Sequence, residues 1–262
     1  MKNFNFKSAT NTKEATKLST AGRAAYLAGG MSILPAMKLR LAAYSDLINI
    51  KKIKGLSGIK VSSKSIRIGA TTTHAEVASS KEVGKSIPSL AVLADGIGDP
   101  QVRNRGTIGG SIANNDPAAD YPSACLALNA TIHTSKRKIP ADKFFKGMFE
   151  TDLKKGELIE SIEFEVPEKS AYAKFPNPAS RYAVVGIYVA KLKNEVRVAI
   201  TGAANCVFRS KELESSLSSN FSASAIDSVN ISNKGLNSDI HASAEYRAHI
   251  IKVMAKKAVS SC

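Results

Sequence analysis

The sequence predicts an α+β protein, with an α/β portion followed by a smaller α+β unit. Three observations carry this. Helical spacing and period-two strand patterns interleave through residues 11–128. An apolar run over 182–192, a Lys193-Asn194 turn and alternating Val196, Val198 and Ile200 describe a hairpin. Residues 244–259 then show helical spacing through Tyr246, Ile250, Val253 and Met254. The 262 residues suffice for one large domain or two ordinary ones.

The elements follow in order. Residues 11–21 are weakly helical. Residues 24–28 are apolar and end in Gly29-Gly30, and 47–53 read as a short buried strand. Ile66, Ile68 and Ala70 alternate with Arg67, Gly69 and Thr71, which marks a strand with one buried face. Short helices are expected over 74–80 and 88–94. Asp116 suits an N-cap and Pro117 the first helical position. Tyr121, Ala124, Cys125 and Leu128 share one face of the helix that would follow. Gly106, Gly109 and Gly110 would thus lie shortly before a helix N-terminus. Ile162, Phe164 and Val166 alternate in a strand that Pro167 stops. Pro167, Pro176 and Pro178, in a Lys-rich context, interrupt the pattern and place the domain boundary, giving 1–168 and 169–262. The Ser-rich stretch 215–224 is expected to hold a turn or loop.

With 44% hydrophobic and 23% charged residues, the composition is that of a globular protein. No apolar run is long enough to span a bilayer, and the polar start lacks a secretory signal pattern, so the cytoplasm is expected. Cys125, Cys206 and Cys262 are far apart and form no CxxC pair, so neither a zinc nor an iron–sulfur site is signalled. The four histidines form no close ligand pair. A net charge of +15 raises nucleic acid as a partner. The lysines run from Lys2 to Lys257 without one arm or motif, and Lys outnumbers Arg, so no nucleic-acid partner is expected. A basic face equally suits an acidic subunit.

Two glycine segments carry the chemistry. The first contains Ala28, Gly29, Gly30, Met31, Ser32, Ile33 and Leu34; the second contains Gly106, Thr107, Ile108, Gly109, Gly110, Ser111 and Asn114. Paired glycines let the backbone approach a ligand, and successive N–H groups can converge on an anion such as a pyrophosphate. Ser32, Thr107 and Ser111 add hydroxyl donors. Either segment alone reads equally as a tight turn. Neither fits GxGxxG after the first strand nor GxxxxGK[ST], which disfavours a Rossmann NAD site and a P-loop. Asp120 is suited to accept hydrogen bonds from ribose or ribityl hydroxyls, but reads equally as a solvated first-turn acid.

Taken together the segments resemble the FAD-binding medium subunits of molybdenum hydroxylases, the carbon monoxide dehydrogenase and xanthine dehydrogenase family. Ala28-Gly29-Gly30-Met31-Ser32 resembles the AGGxS motif, and the run from Asp99-Pro100 to Thr107-Ile108-Gly109-Gly110 resembles the second motif, ending in TIGG. Asp116-Pro117-Ala118-Ala119-Asp120 continues the match. Residues 175–183 resemble the linker and first strand of the family's C-terminal domain, and 241–247 the start of its last helix. Met31 departs from the polar residues common at its position, and residues 131–139 resemble a shortened hairpin.

The resemblance implies a vanillyl-alcohol-oxidase (PCMH)-type FAD-binding fold, with two α/β subdomains holding FAD between them, followed by a small C-terminal α+β domain. It implies that Ala28 to Leu34 and Thr107, Ile108, Gly109 and Gly110 wrap the FAD pyrophosphate. Asn114 and Asp120 would contact ribityl or ribose hydroxyls, and Ile97 would pack near the flavin or adenine. Lys174 and Tyr182 would approach the isoalloxazine, though Tyr182 reads equally as an ordinary strand residue. FAD would be bound non-covalently. The molybdenum cofactor and [2Fe–2S] clusters would sit on a large and a small partner subunit, in a dimer of heterotrimers. The chain would pass electrons from those clusters through FAD to an external acceptor. The alternatives are a stand-alone flavin oxidoreductase and a basic binding protein that has lost its flavin.

Overall fold

The computed structural model describes all 262 residues, and its strands form three main sheets. The first joins β1 (Asn5–Ser8), β2 (Ala24–Leu27) and β3 (Asp46–Asn49) in the order β1-β3-β2, all parallel. Parallel neighbours need crossovers, which the helices Thr12–Ser19 and Ile33–Lys38 supply. Asn11 caps the former by accepting from the Glu14 N–H. Leu47 and Ile48 are fully buried in β3.

The second sheet is antiparallel. It contains β4 (Ile59–Val61), β5 (Ser65–Gly69), β6 (Thr131–Thr134), β7 (Lys138–Pro140) and β10 (Ile159–Glu165), in the order β4-β5-β10-β6-β7. The expected period-two face is present: Ile66, Ile68, Ile162 and Phe164 have no exposure. They pack with Val77, Leu90, Leu93 and Tyr121 from helices His74–Ser79, Pro88–Asp95 and Tyr121–Ala127 into the largest core. Between β7 and β10 lies the small hairpin of β8 (Phe145–Gly147) and β9 (Glu150–Thr151).

The third sheet runs β11 (Lys169–Pro176), β12 (Ala183–Lys191), β13 (Val196–Thr201) and β14 (Phe208–Arg209), each antiparallel to the next. One face meets the helix Tyr121–Ala127, and the other meets the helices Lys211–Ser219 and Ala244–Ser260. No helix is long and apolar enough to cross a membrane.

Three local expectations need correction. Asp116 does not cap a helix: its Oδ1 accepts from the Ala118 N–H two residues on, and that local bond competes with helical geometry. The helix begins at Tyr121, with Pro122 in its first turn. The second glycine segment, expected shortly before a helix, lies there only at Gly106: Ile108–Asn114 is itself helical and includes Gly109 and Gly110. Thr107 initiates it, its Oγ1 accepting from the Gly110 N–H at 3.1 Å. Residues 167–178 are not an interruption. They contain β11, whose prolines fall only at its end or outside it and whose ladder to β12 runs eight residues. The Ser-rich stretch 215–224 contains the expected loop at 220–222, while residues 215–219 before it complete a helix. Ser218 and Ser219 turn their hydroxyls back onto the carbonyls four residues earlier, and Leu213 and Leu217 anchor the buried side.

The last helix is pinned by Arg247, which is 3% exposed. Its guanidinium donates to the carbonyls of Val184 (2.6 Å) and Gly202 (3.0 Å) and to Asp239 (2.7 Å). Replacing Arg247 by Met keeps the stem but strands both carbonyls. The expected loss is roughly 2–4 kcal/mol of folding stability, read by denaturant unfolding.

Candidate functional site

Between the first two sheets lies a cavity of about 620 Å³. Its walls come from the ends of β2 and β3, from both glycine segments, from Ile97–Gly98, and from residues 180–182 of the loop that joins β11 to β12. Apolar walls with a few polar groups suit a mixed aromatic and polar ligand.

The two glycine segments touch backbone to backbone. A Cβ on Gly29 would overlap the carbonyl of Arg105 and lie 2.8 Å from the Gly106 Cα. A Cβ on Gly109 would lie 2.6 Å from both Cβ and O of Ala70, just past the end of β5. These two glycines are therefore required by close packing of main chain on main chain.

The segments differ in their hydrogen bonding. In the second, the Ile108 N–H donates to Thr72 O (3.1 Å), Gly109 to Ala70 O (2.9 Å) and Gly110 to Thr107 Oγ1. In the first, Gly29, Gly30, Met31, Ser32 and Ile33 all line the cavity, and none of their N–H groups has an acceptor in the chain. Gly30 takes φ +80°, which helps turn this run around the cavity. Five adjacent unmatched donors form a surface suited to an anion.

Most expected site residues meet here. Ala28, Gly29, Gly30, Met31, Ser32, Ile33, Ile97, Thr107, Gly109, Gly110, Asn114, Asp120 and Tyr182 all line the cavity. Three do not. Leu34 packs against Gly30, where its Cδ1 lies 2.9 Å from the position of a Cβ. Ile108 has no exposure, and its side chain belongs to the core. Lys174 stands behind Asp120, its Nζ 2.7 Å from Gly96 O and 3.1 Å from Asp120 Oδ1.

Asp120 is a buried acid, 5% exposed, and not a solvated one. Burial pushes its carboxyl above the ordinary range, while the Lys174 ammonium and the Tyr172 hydroxyl pull the other way. Ile97–Gly98 is clamped by two arginines: Arg103 donates to both carbonyls and Arg181 to that of Gly98. Tyr182 stands half exposed at the rim.

Sequence reasoning missed several wall residues. Leu153, Glu157, Leu158 and Ile159 come from the approach to β10, and Tyr26 and His74 from elsewhere. No local motif announces them, because pairing of distant strands brings them in. The described side chains include no cluster of three or more His, Cys, Asp or Glu placed to hold a metal, and all three cysteines are free.

The comparisons with known proteins decide the family. Residues 2–168 match the family model described as the FAD binding domain in molybdopterin dehydrogenase. The chain belongs to this family. Among its relatives is the glyceraldehyde dehydrogenase medium chain of Sulfolobus acidocaldarius, 35% identical over 97% of this chain and 96% of that one. The carbon monoxide dehydrogenase medium chain of Hydrogenophaga pseudoflava is 38% identical over 70% of this chain and 68% of that one. A solved carbon monoxide dehydrogenase from the same organism, lacking the Mo-pyranopterin moiety of its cofactor, superposes with a TM-score of 0.91. It is 32% identical and covers 99% of this chain and 96% of its own. As a member of the molybdopterin-dehydrogenase FAD-binding family, the chain is an oxidoreductase subunit of the medium-chain type.

The glycines of this FAD-binding domain separate by substitution. Gly109→Ala forces backbone apart and should cost roughly 1–3 kcal/mol of stability. Near Gly110 an added Cβ meets only Thr107 Oγ1, at 2.9 Å. Gly110→Val should therefore stay folded while its bulk in the cavity weakens FAD binding, as read by thermal melting beside flavin titration.

Proposed function

We propose that the chain holds FAD non-covalently in this cavity, within a complex of an iron–sulfur small subunit and a molybdenum-containing large subunit. In that complex it passes electrons from the partner's [2Fe–2S] clusters through FAD to an external acceptor. Its assembly is a dimer of heterotrimers located in the cytoplasm. Residues 1–168 form the FAD-binding domain and 169–262 the C-terminal domain.

The observation that carries this reading is the run of five unmatched N–H groups from Gly29 to Ile33, bent around the cavity. They suit the two phosphates of a dinucleotide. The second glycine segment braces them from behind, and Gly110, Ser111 and Asn114 remain on the wall. FAD would supply the exchange between single-electron donors and a two-electron acceptor. The chain's part is to bind it, shield it from bulk water and leave one rim open near Tyr182. Neither glycine segment contains a His or Cys for a covalent flavin link.

Charge supports docking on an acidic partner. Residues 1–64 contain twelve Lys and Arg against two acids, ten of the fifteen net charges. This refines the reading of scattered lysines: the excess is concentrated around the first sheet and in the segment that leads from it through β4. One of the two acids, Asp46, is already paired with Lys7 at 2.6 Å. Such a face speeds encounter with an acidic subunit more than it adds affinity.

The experiment is anaerobic spectroscopy of the FAD-loaded chain. Denaturation should release intact FAD. Candidate substrates should leave the flavin band oxidised until the iron–sulfur and molybdenum subunits are added. Bleaching by substrate without partners would establish a stand-alone flavoenzyme instead.

A further inference from the structure

His74 is the first residue of the helix His74–Ser79, and its N–H donates to Gly106 O at 3.0 Å. The side chain is 5% exposed, yet it lines the cavity. One face of the ring lies against Tyr121, with centroids 5.4 Å apart and planes tilted by 41°. An aliphatic or phenyl side chain would fill this place equally well, so the two ring nitrogens require a reason.

Neither nitrogen has a partner within the chain. Nδ1 is sealed from solvent, whereas Nε2 is not among the sealed atoms. Gly106 explains the difference, because a Cβ there would lie 2.6 Å from Nε2. The bare Gly106 Cα leaves that edge of the imidazole uncovered. On Gly106 also rests Gly29, whose own Cβ would come within 2.8 Å of the Gly106 Cα. Nε2 therefore sits at the seam of the two glycine segments, next to the run of unmatched N–H groups.

An uncharged imidazole has one N–H and one bare nitrogen. Orphaned buried N–H groups are rarer than under-satisfied acceptors, so the bare nitrogen belongs at sealed Nδ1 and the proton at Nε2. The imidazole stays uncharged because burial, reinforced by the nearby Arg103 guanidinium, holds its pKa down at about 4.

We infer that His74 is a cofactor-contacting residue, its Nε2–H donating to a phosphate oxygen of bound FAD at the seam of the two glycine segments. The inference rests on the FAD reading above and adds to it a side-chain donor that lies outside both motifs. Phosphate is the acceptor because the adjoining backbone donors gather anionic oxygen at this point. The bond would also give the imidazole the polar partner it lacks within the chain.

The test uses the full chain. FAD dissociation constants are measured for wild type, His74→Phe and His74→Gln, with circular dichroism confirming the fold. Phe keeps the ring against Tyr121 but has no donor, and should bind FAD roughly 10- to 100-fold more weakly, as expected for a hydrogen bond to a charged group. Gln restores an N–H and should recover part of the loss. In wild-type protein with ¹⁵N-labelled histidine, the Nε2–H resonance should move on adding FAD and stay put with riboflavin, which has no phosphate. Wild-type affinity in His74→Phe, or an Nε2 resonance indifferent to FAD, overturns the inference. If His74→Phe fails to fold, the resonance experiment alone decides. Failure of wild type to bind FAD at all would instead remove the functional reading itself.

Discussion

A side chain of any size at position 29 would collide with the main chain of Arg105 and Gly106. This contact joins the parallel sheet of β1 to β3 to the larger core, and the cavity exists because of it. Held against Gly106, the chain leaving β2 cannot fold back on itself to satisfy its own N–H groups. It instead runs along the cavity wall through Ile33 before helical bonding resumes, the Leu34 N–H donating to Gly30 O at 3.2 Å. Gly109 makes the matching contact with Ala70 and ties the second segment to β5.

The two segments thus divide the work. Donors of the second are used internally, on Thr72, Ala70 and Thr107, which makes it a rigid brace. Donors of the first are left for a ligand or water. Shielded from water without a partner, each such group would cost about 1–3 kcal/mol, so a strong acceptor in the cavity is favoured. The triad of buried Asp120 with partly buried Tyr172 and Lys174 does similar service on the opposite side. It links the turn before the helix Tyr121–Ala127 to β11, and Lys174 extends the link to Gly96, beside Ile97. Through these residues the third sheet helps fix the cavity's shape.

Much of this was legible in the sequence because it is local. Alternation over residues 65–71 gave β5, and the glycine pairs with their neighbouring hydroxyls marked both cavity-lining segments. What escaped was non-local or depended on competing local bonds. Asp116 has the right chemistry for a helix cap, but the nearer Ala118 N–H takes its carboxylate. Pro176 and Pro178 suggested a break, yet β11 simply ends there against β12. Ile108 sits inside a ligand-binding motif, but the motif is one turn of helix, and its apolar member must point to the core. His74 carried no signal at all, since its partners Gly106 and Tyr121 lie 32 and 47 positions away and meet it only in the fold.

Amide hydrogen exchange tests the central claim most directly, because it reads each N–H separately. Without cofactor, the amides of Gly29 to Ile33 should exchange fast, and those of Ile108, Gly109 and Gly110 slowly. On saturation with FAD, protection should rise sharply across Gly29 to Ile33 and change little across Ile108 to Gly110. Protection gained only in the second segment, with the first still exchanging freely, would contradict the assignment of the phosphates to the free donors of the first.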